Sequence, residues 1–548
     1  MEVTGIVFVM LLAVVASRAI ARLSGLPAPF IQIALGIGIY YSRFNTVALD
    51  PEVFFLLLLP PLLFLDGWRI PKDDLKRDAG TIFKLAIGLV VFTVLGVGYL
   101  VHWLIPALPL PVAFALAAVI SPTDPIAVSQ IASRTPIPTR MRHILEGEAL
   151  FNDASGLVCM RFAVAAMITG VFSPVDAGLN FIWLALGGLL IGSVSTWLVT
   201  RPWASSSVFL GDDGSAQIML SLLIPSGVYL LAEYFHCSGI LAAVAAGITM
   251  GFAPHSHWHA VTRIRRTAVW DMVQFAANGC IFVLLGEQIP EVFSAAPITV
   301  ATTGHDNPWW LAFYVLIIVL ALAGLRFVWV WVTLRKVFTQ TNEPEARSAP
   351  PYWRLVLAMS LAGARGAITL AGVLTLPLLI ADGSDFPGRD LAIFLATGVI
   401  LVSLLLAAIG LPRALKGLEQ APNPAHGAAE NRLRTAISEA AVDAIISAKQ
   451  AKTADALNAG HYTEAAEHLV KTYRQRIARY AREDALAAQD SEPTQHGDTD
   501  KIEHELRLVG LHAEREAAIR FGQAHNIKQV ILRKIGREID LQEARHSS

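Results

Sequence analysis

Ala117-Ala-Val-Ile-Ser-Pro-Thr-Asp-Pro-Ile-Ala-Val-Ser-Gln-Ile131 is the stretch on which the fold turns. It is apolar at both ends and holds Ser121, Pro122, Thr123, Asp124 and Pro125 at its centre. Two prolines three residues apart cannot continue one helix, since each lacks a backbone donor and pushes its predecessor out of helical geometry. The helix must break around Thr123, with Asp124 as N-cap and Pro125 as the first-position proline of a second half-helix. At membrane depth such irregular backbone survives only where it is buried in protein or lines a water-filled cavity. A proline kink bridged by neighbouring helices is the plainer alternative, and the polar Ser121, Thr123 and Asp124 beside the prolines weigh against it.

Composition supplies the membrane. Of 548 residues, 54% are hydrophobic and 16% charged, against about 25% charged in a soluble protein. Residues 413–548 hold 20 Lys/Arg and 20 Asp/Glu, which leaves 47 charged side chains for the first 412. Two regions follow: a transmembrane domain over 1–412 and a cytosolic helical domain over 413–548. A single soluble globule and a disordered chain are excluded. So is a nucleic-acid partner, because a net charge of -1 offers no basic excess to neutralise phosphates. Cys159, Cys237 and Cys280 fall in apolar runs and read as small filler rather than as a disulfide framework.

A bilayer core takes roughly 20 apolar residues per helix. The first 412 residues offer thirteen such stretches, centred near residues 11, 34, 59, 91, 121, 157, 190, 226, 246, 279, 322, 367 and 400. The expected fold is an all-α polytopic membrane protein of about thirteen transmembrane helices. Val3 to Ala16 is read as a retained first span, because Arg18 and Arg22 follow it and no basic residue precedes it, the reverse of a signal peptide. Alternate connections carry seventeen basic residues on one set and two, Arg43 and Arg389, on the other. The positive-inside rule then puts the N-terminus outside and the tail in the cytosol. The tail reads as helical over about 429–455, 462–488 and 500–546, after a linker containing Pro422, Asn423, Pro424 and Gly427.

Ionisable groups at mid-span cost roughly 2.5–3.5 kcal/mol each on insertion scales and mark function. Four spans hold them. The third has Pro60 and Pro61 interrupting an apolar run that ends in Asp66; the fifth has Asp124; the sixth has Glu148, Asn152 and Asp153; the twelfth has Arg365 in a glycine-rich run. The interrupted fifth and twelfth spans occupy matching places in spans 1–6 and 8–13, the pointer to an inverted repeat with its binding site at the crossing.

On the sixth helix Ala149, Asn152, Asp153 and Gly156 share a face, while Glu148 lies about 140° around from Asp153. Arg365 keeps its proton and needs a buried anion, so Glu148 is assigned to it as an ion pair. Asp153 is left as the carboxylate that faces the cavity. A single carboxylate holding either a proton or a hard monovalent cation is an exchange device, since binding one expels the other. Thr123, Asn152 and Asp153 supply the oxygen ligands such a cation wants.

At these residues the chain resembles the monovalent cation:proton antiporters of the NhaP and NHE type. The resemblance rests on Ser-Pro-Thr-Asp-Pro at 121–125, Gly-Glu-x-x-x-Asn-Asp at 147–153, Gly-x-Arg-Gly-Ala-Ile at 363–368 and Pro-Pro-x-x-x-x-Asp at 60–66. It implies a homodimer, a mobile core with crossed half-helices, and electroneutral exchange of Na⁺ for H⁺ across a plasma membrane, the bacterial inner membrane. It implies also that Asp153 binds the cation with Asn152 and Thr123, with Asp66 nearby, that Glu148 pairs with Arg365, and that no cofactor takes part. One departure is Ala149, where many members carry a serine hydroxyl.

Other features carry less. His255, His257 and His259 alternate in a basic loop and read as a bland one. Arg161 either tunes an outer funnel or simply pairs; Glu233 and Glu287 read as solvated acids near span ends. Trp309, Trp310, Trp329 and Trp331 flank the eleventh span as an interfacial belt would. Li⁺ and K⁺ stand beside Na⁺ as candidate cations. A cation channel would need a filter-like repeat, which the sequence lacks. An organic-anion carrier would use Arg365 and tolerate loss of Asp153. No metalloprotease or nucleophile-base motif suggests an enzyme.

Overall fold

The apolar runs of the sequence are helices. A computed structural model describes residues 2–42, 57–131, 137–170, 174–205, 214–252, 260–301, 303–339, 352–380, 383–416, 418, 424–453, 459–488 and 541. No strand occurs among them, and a single isolated bridge joins Leu379 to Asp385. Helices α1 (Glu2–Ser24), α2 (Ala28–Tyr41) and α3 (Leu59–Arg69) come first. Then α4 (Lys72–Phe83) runs through a π-helical segment, Lys84–Leu89, into α5 (Val90–Leu104). The Lys84 carbonyl accepts a hydrogen bond from Trp329 Nε1 at 3.1 Å, so this tryptophan serves as a packing anchor rather than only an interfacial one.

The stretch at 117–131 breaks as its prolines require. Helix α6 (Leu110–Ile120) stops before Ser121, and α7 (Pro125–Ile131) starts on Pro125. There follow α8 (Thr139–Thr169), α9 (Pro174–Ser205), α10 (Gly214–Tyr234), α11 (Gly239–Phe252), α12 (Ala260–Ser294), the short α13 (Ala296–Ala301) and α14 (Trp309–Thr339). The twelfth stretch is broken too, into α15 (Tyr352–Leu361) and α16 (Ala367–Leu374), before α17 (Arg389–Leu415). Among the described residues eight helices are long and apolar enough to cross a membrane, with Ala28–Tyr41, Leu110–Ile120 and Gly239–Phe252 as shorter apolar ones. In the third stretch Leu57 is helical and Leu58 a turn, and Pro60 and Pro61 sit in the first turn of α3, where a missing backbone donor costs nothing.

The apolar cores of the membrane unit share helices. The most extensive runs from the π-helical segment through α5 to α8 and α14 to α17 by way of Leu85, Leu116, Val128, Ile144, Ile318 and Leu395, and it takes in Phe282 and Leu285 of α12. Met10, Val14, Leu62, Ala277 and Ile281 join α1, α3 and α12 with Ala371 of α16, while Phe64, Leu65, Val228, Ala246 and Trp270 join α3, α10, α11 and α12. Helices α3 and α11 touch backbone to backbone, since a Cβ on Gly247 would overlap the Phe64 carbonyl oxygen.

The chain divides into two compact units, Met1–Glu419 and Gln420–Ser548. This division lies beyond residue 412 because α17 continues through Pro412 to Leu415. In the second unit α18 (Pro424–Thr453) and α19 (Ala459–Ala488) pack against each other. Pro424 and Gly427, expected in the linker, open α18, the proline again at a helix start. The expected stretch 500–546 lies outside the described residues apart from Leu541, as do Pro422, Asn423, Arg43, His255, His257 and His259.

Candidate cation-binding site

The two broken segments cross at their breaks. The Asp124 amide donates to the Ala364 carbonyl at 2.8 Å. Gly366 lies so close to Asp124 that a Cβ there would overlap its carboxylate. Asp124 Oδ1 accepts from the Ala127 amide at 3.2 Å, which makes it the N-cap of α7 read from the sequence. Arg365 meets the other polarity. Its Nε donates to the carbonyl of Ile120, the last residue of α6, at 2.9 Å, and its Nη1 to the Gly363 carbonyl beyond α15. Its own amide donates to Ser403 Oγ on α17 at 3.1 Å. A fixed cation thus faces the negative ends of two half-helices, and a carboxylate stands at the positive start of a third.

Arg365 does not pair with Glu148. The partner of Glu148 is Arg326 of α14, whose Nη1 and Nη2 reach Oε1 and Oε2 at 2.5 and 2.9 Å, with side-chain exposures of 3% and 1%. Arg326 Nε donates to the Met359 carbonyl at 3.1 Å, so the guanidinium also holds α15. Arg365 is occupied by backbone carbonyls, and Arg326 offers the planar fork that a buried carboxylate matches. The signal for Arg326 was present in the sequence as a lone arginine in the middle of the eleventh apolar run.

Thr123 connects this pair to the cavity. Its Oγ1 donates to Glu148 Oε1 at 3.3 Å and accepts from Asn152 Nδ2 at 3.1 Å. Both bonds fix the hydroxyl and leave one lone pair for a further partner. Asn152 Oδ1 and Ser121 Oγ are buried without a hydrogen-bond partner among the described residues.

Asp66, Thr123, Asp124 and Asp153 line one cavity of about 50 Å³, together with Ala149, Asn278 and Thr369. Asn152, Glu148 and Arg365 stand behind that lining rather than in it. Asp153 is 6% exposed and makes no hydrogen bond or ion pair among the described residues. The separation of faces on α8 holds: Asp153 and Ala149 look into the cavity, and Glu148 looks towards α14. Asn278 and Thr369 had not been singled out, since a neutral polar group in an apolar run gives a weaker signal than a charge.

A second cavity, of about 660 Å³, is lined by residues of α8 beyond Asp153, including Arg161, and by Tyr229, Glu233 and Ser238. Arg161 pairs with Glu233 at 3.6 Å, so neither is simply solvated. Glu287, expected near a solvated end, is buried on α12. Cys159, Cys237 and Cys280 are all free thiols.

A family model described as sodium/hydrogen exchanger, transmembrane, matches residues 7–417. An uncharacterised Na⁺/H⁺ exchanger of Escherichia coli K12, YjcE, is 38% identical over 558 residues, covering 99% of both chains. A sodium, potassium, lithium and rubidium/H⁺ antiporter of Bacillus subtilis 168 is 39% identical over 416 residues, 75% of this chain and 61% of that one. Among solved structures, the sodium proton antiporter MjNhaP1 of Methanocaldococcus jannaschii shares the fold, with a TM-score of 0.57 at 20% identity over 77% of this chain and 100% of the other.

Proposed function

The chain belongs to the sodium/hydrogen exchanger family, and from that premise we propose that it exchanges Na⁺ for H⁺ by competition of the two ions for Asp153. The observation that carries this reading is the buried, unpartnered Asp153 carboxylate in a small cavity beside a half-helix crossing. With Na⁺ bound, Asp153 is a carboxylate that shares the ion with Thr123, braced from behind by Asn152, and with Asp66. With H⁺ bound, it is a neutral acid, and the cation is gone. The loaded site changes its side of access in either form, as the group carrying α6, α7, α8, α15 and α16 shifts against the group carrying α3 and α12. Glu148, Arg326, Arg365 and Asp124 keep fixed charges at the crossing and take no part in the exchange. The protein works as a homodimer in the bacterial inner membrane, with its N-terminus outside and its tail in the cytosol, as its basic connections require.

A second reading keeps the fold and changes the cation: the relative from Bacillus subtilis is described as acting on potassium, lithium and rubidium besides sodium. Reconstitution in vesicles with an internal pH dye separates the two. Pulses of NaCl, LiCl and KCl should each be tried, and Na⁺ should discharge an imposed pH difference, with high Na⁺ restoring the rate at acid pH. Asp153→Asn should abolish the response while inserting normally. Persistence of exchange in that variant would remove Asp153 from the mechanism.

A further inference from the structure

Two polar side chains of the cavity have no place in that mechanism. Asn278 on α12 is 8% exposed and Thr369 on α16 is 3% exposed, and both line the space beside Asp153. Neither side chain makes a hydrogen bond among the described residues. A buried amide left unpaired costs free energy, and Asn278 lies within the otherwise apolar run Phe275–Gly286 of α12. What completes it must therefore occupy the cavity. At about 50 Å³ the space admits water or a partly hydrated ion and excludes an organic substrate.

The placement of Asn278 is distinct. Thr123, Asp153 and Thr369 all come from the helix group of the half-helix crossing. Asn278 comes from α12, outside the broken helices, where its neighbours Ala277 and Ile281 pack with Met10 and Val14 of α1 and with Ala371 of α16. Ala149, one turn before Asp153 on the same face, offers no oxygen. An amide carbonyl and a hydroxyl are hard neutral donors, the kind that replaces hydration water on a monovalent cation.

We propose that Asn278 is a cation ligand of the exchange site, contributed by α12 from beside the half-helix crossing, and that its neutral oxygen sets the preference among Na⁺, Li⁺ and K⁺. The proposal rests on the reading of Asp153 as the exchanging carboxylate. Carboxylates fix how many charges are traded; a neutral oxygen changes only how well each ion is coordinated. Na⁺ and Li⁺ hold their water more tightly than K⁺, so losing a protein oxygen weakens the smaller ions most. Thr369 faces the same space from the crossing side and completes the neutral ligands.

The test is dye-monitored exchange in vesicles of full-length Asn278→Ala, Asn278→Ser and Asp153→Asn. Asn278→Ala should raise the apparent KM for Na⁺ and Li⁺ about tenfold, raise that for K⁺ about threefold or less, and leave the maximal rate within about twofold. Asn278→Ser, which restores an oxygen, should recover most of the Na⁺ preference. Should the alanine variant insert poorly, the rise in melting temperature that Na⁺ gives the purified protein is compared between wild type and Asn278→Ser, and K⁺ serves as control. An unchanged ratio of KM values for Na⁺ and K⁺ in Asn278→Ala, with Asp153→Asn silent, would overturn the role of Asn278 alone. Exchange surviving in Asp153→Asn would overturn the reading beneath it.

Discussion

Glu148 and Arg326 form a buried ion pair whose value lies in being complete. Both carboxylate oxygens and both terminal guanidinium nitrogens are engaged, and Arg326 Nε is taken by the Met359 carbonyl. Removing one partner strands the other charge in the interior, at about 3–5 kcal/mol, whereas replacing both by apolar groups of similar volume is close to neutral. Melting of the detergent-purified protein should therefore show Glu148→Leu and Arg326→Met each strongly destabilised, and the double variant recovering much of the loss. If the double variant melted as low as the sum of the two single effects, no coupling would exist between them. The need of Glu148 for a buried cation was legible in the sequence because an acid at that depth has to be matched. Which of two arginines answered it was not, since angular position on α8 gives the face of a residue and says nothing of its neighbour. Arg365 looked available only while the carbonyls of Ile120 and Gly363 were out of view.

The crossing of half-helices is where local chemistry becomes architecture. Pro122 and Pro125 made the break in α6–α7 readable, because two missing donors cannot be hidden in one helix. The partner break in α15–α16 has no proline at its centre, and it was readable only from its glycines and Arg365. Gly366 leaves no room for a side chain: an added Cβ overlaps Asp124, whose amide holds the Ala364 carbonyl. Overpacking of this kind costs about 1–3 kcal/mol in ordinary interiors, and here it also displaces the N-cap of α7. Gly366→Ala should lose most exchange and melt lower, while Gly5→Ala, which meets nothing within 4 Å, should behave as wild type. Normal exchange in Gly366→Ala would mean that the two breaks do not need to touch. Pro60 and Pro61 mark the start of α3 at Leu59, since two adjacent prolines fit the first turn of a helix and not its interior.

Across the whole molecule the charge ledger of the site predicts its response to voltage. On the mechanism proposed above, Asp153 carries one negative charge when empty and none when it holds either Na⁺ or H⁺, so the loaded site carries the same charge in both directions. The remaining buried charges at the crossing are paired or set against helix ends and keep the same charge through the cycle. A carrier moving one net charge per cycle would feel about 2.3 kcal/mol per 100 mV, which biases its equilibrium about fifty-fold. This exchanger should feel none. In vesicles with equal Na⁺, K⁺ and pH on both sides, a potential of about 100 mV set by a thiocyanate diffusion gradient should leave the internal pH unchanged. Asp66 supplies the sharper arm, because it lines the same cavity as Asp153. If Asp66 also traded a proton, two protons would move per Na⁺, the imposed potential would drive a pH change, and Asp66→Asn would abolish that response. A flat trace in both the wild type and Asp66→Asn fixes one exchanging carboxylate and assigns Asp66 to holding the ion.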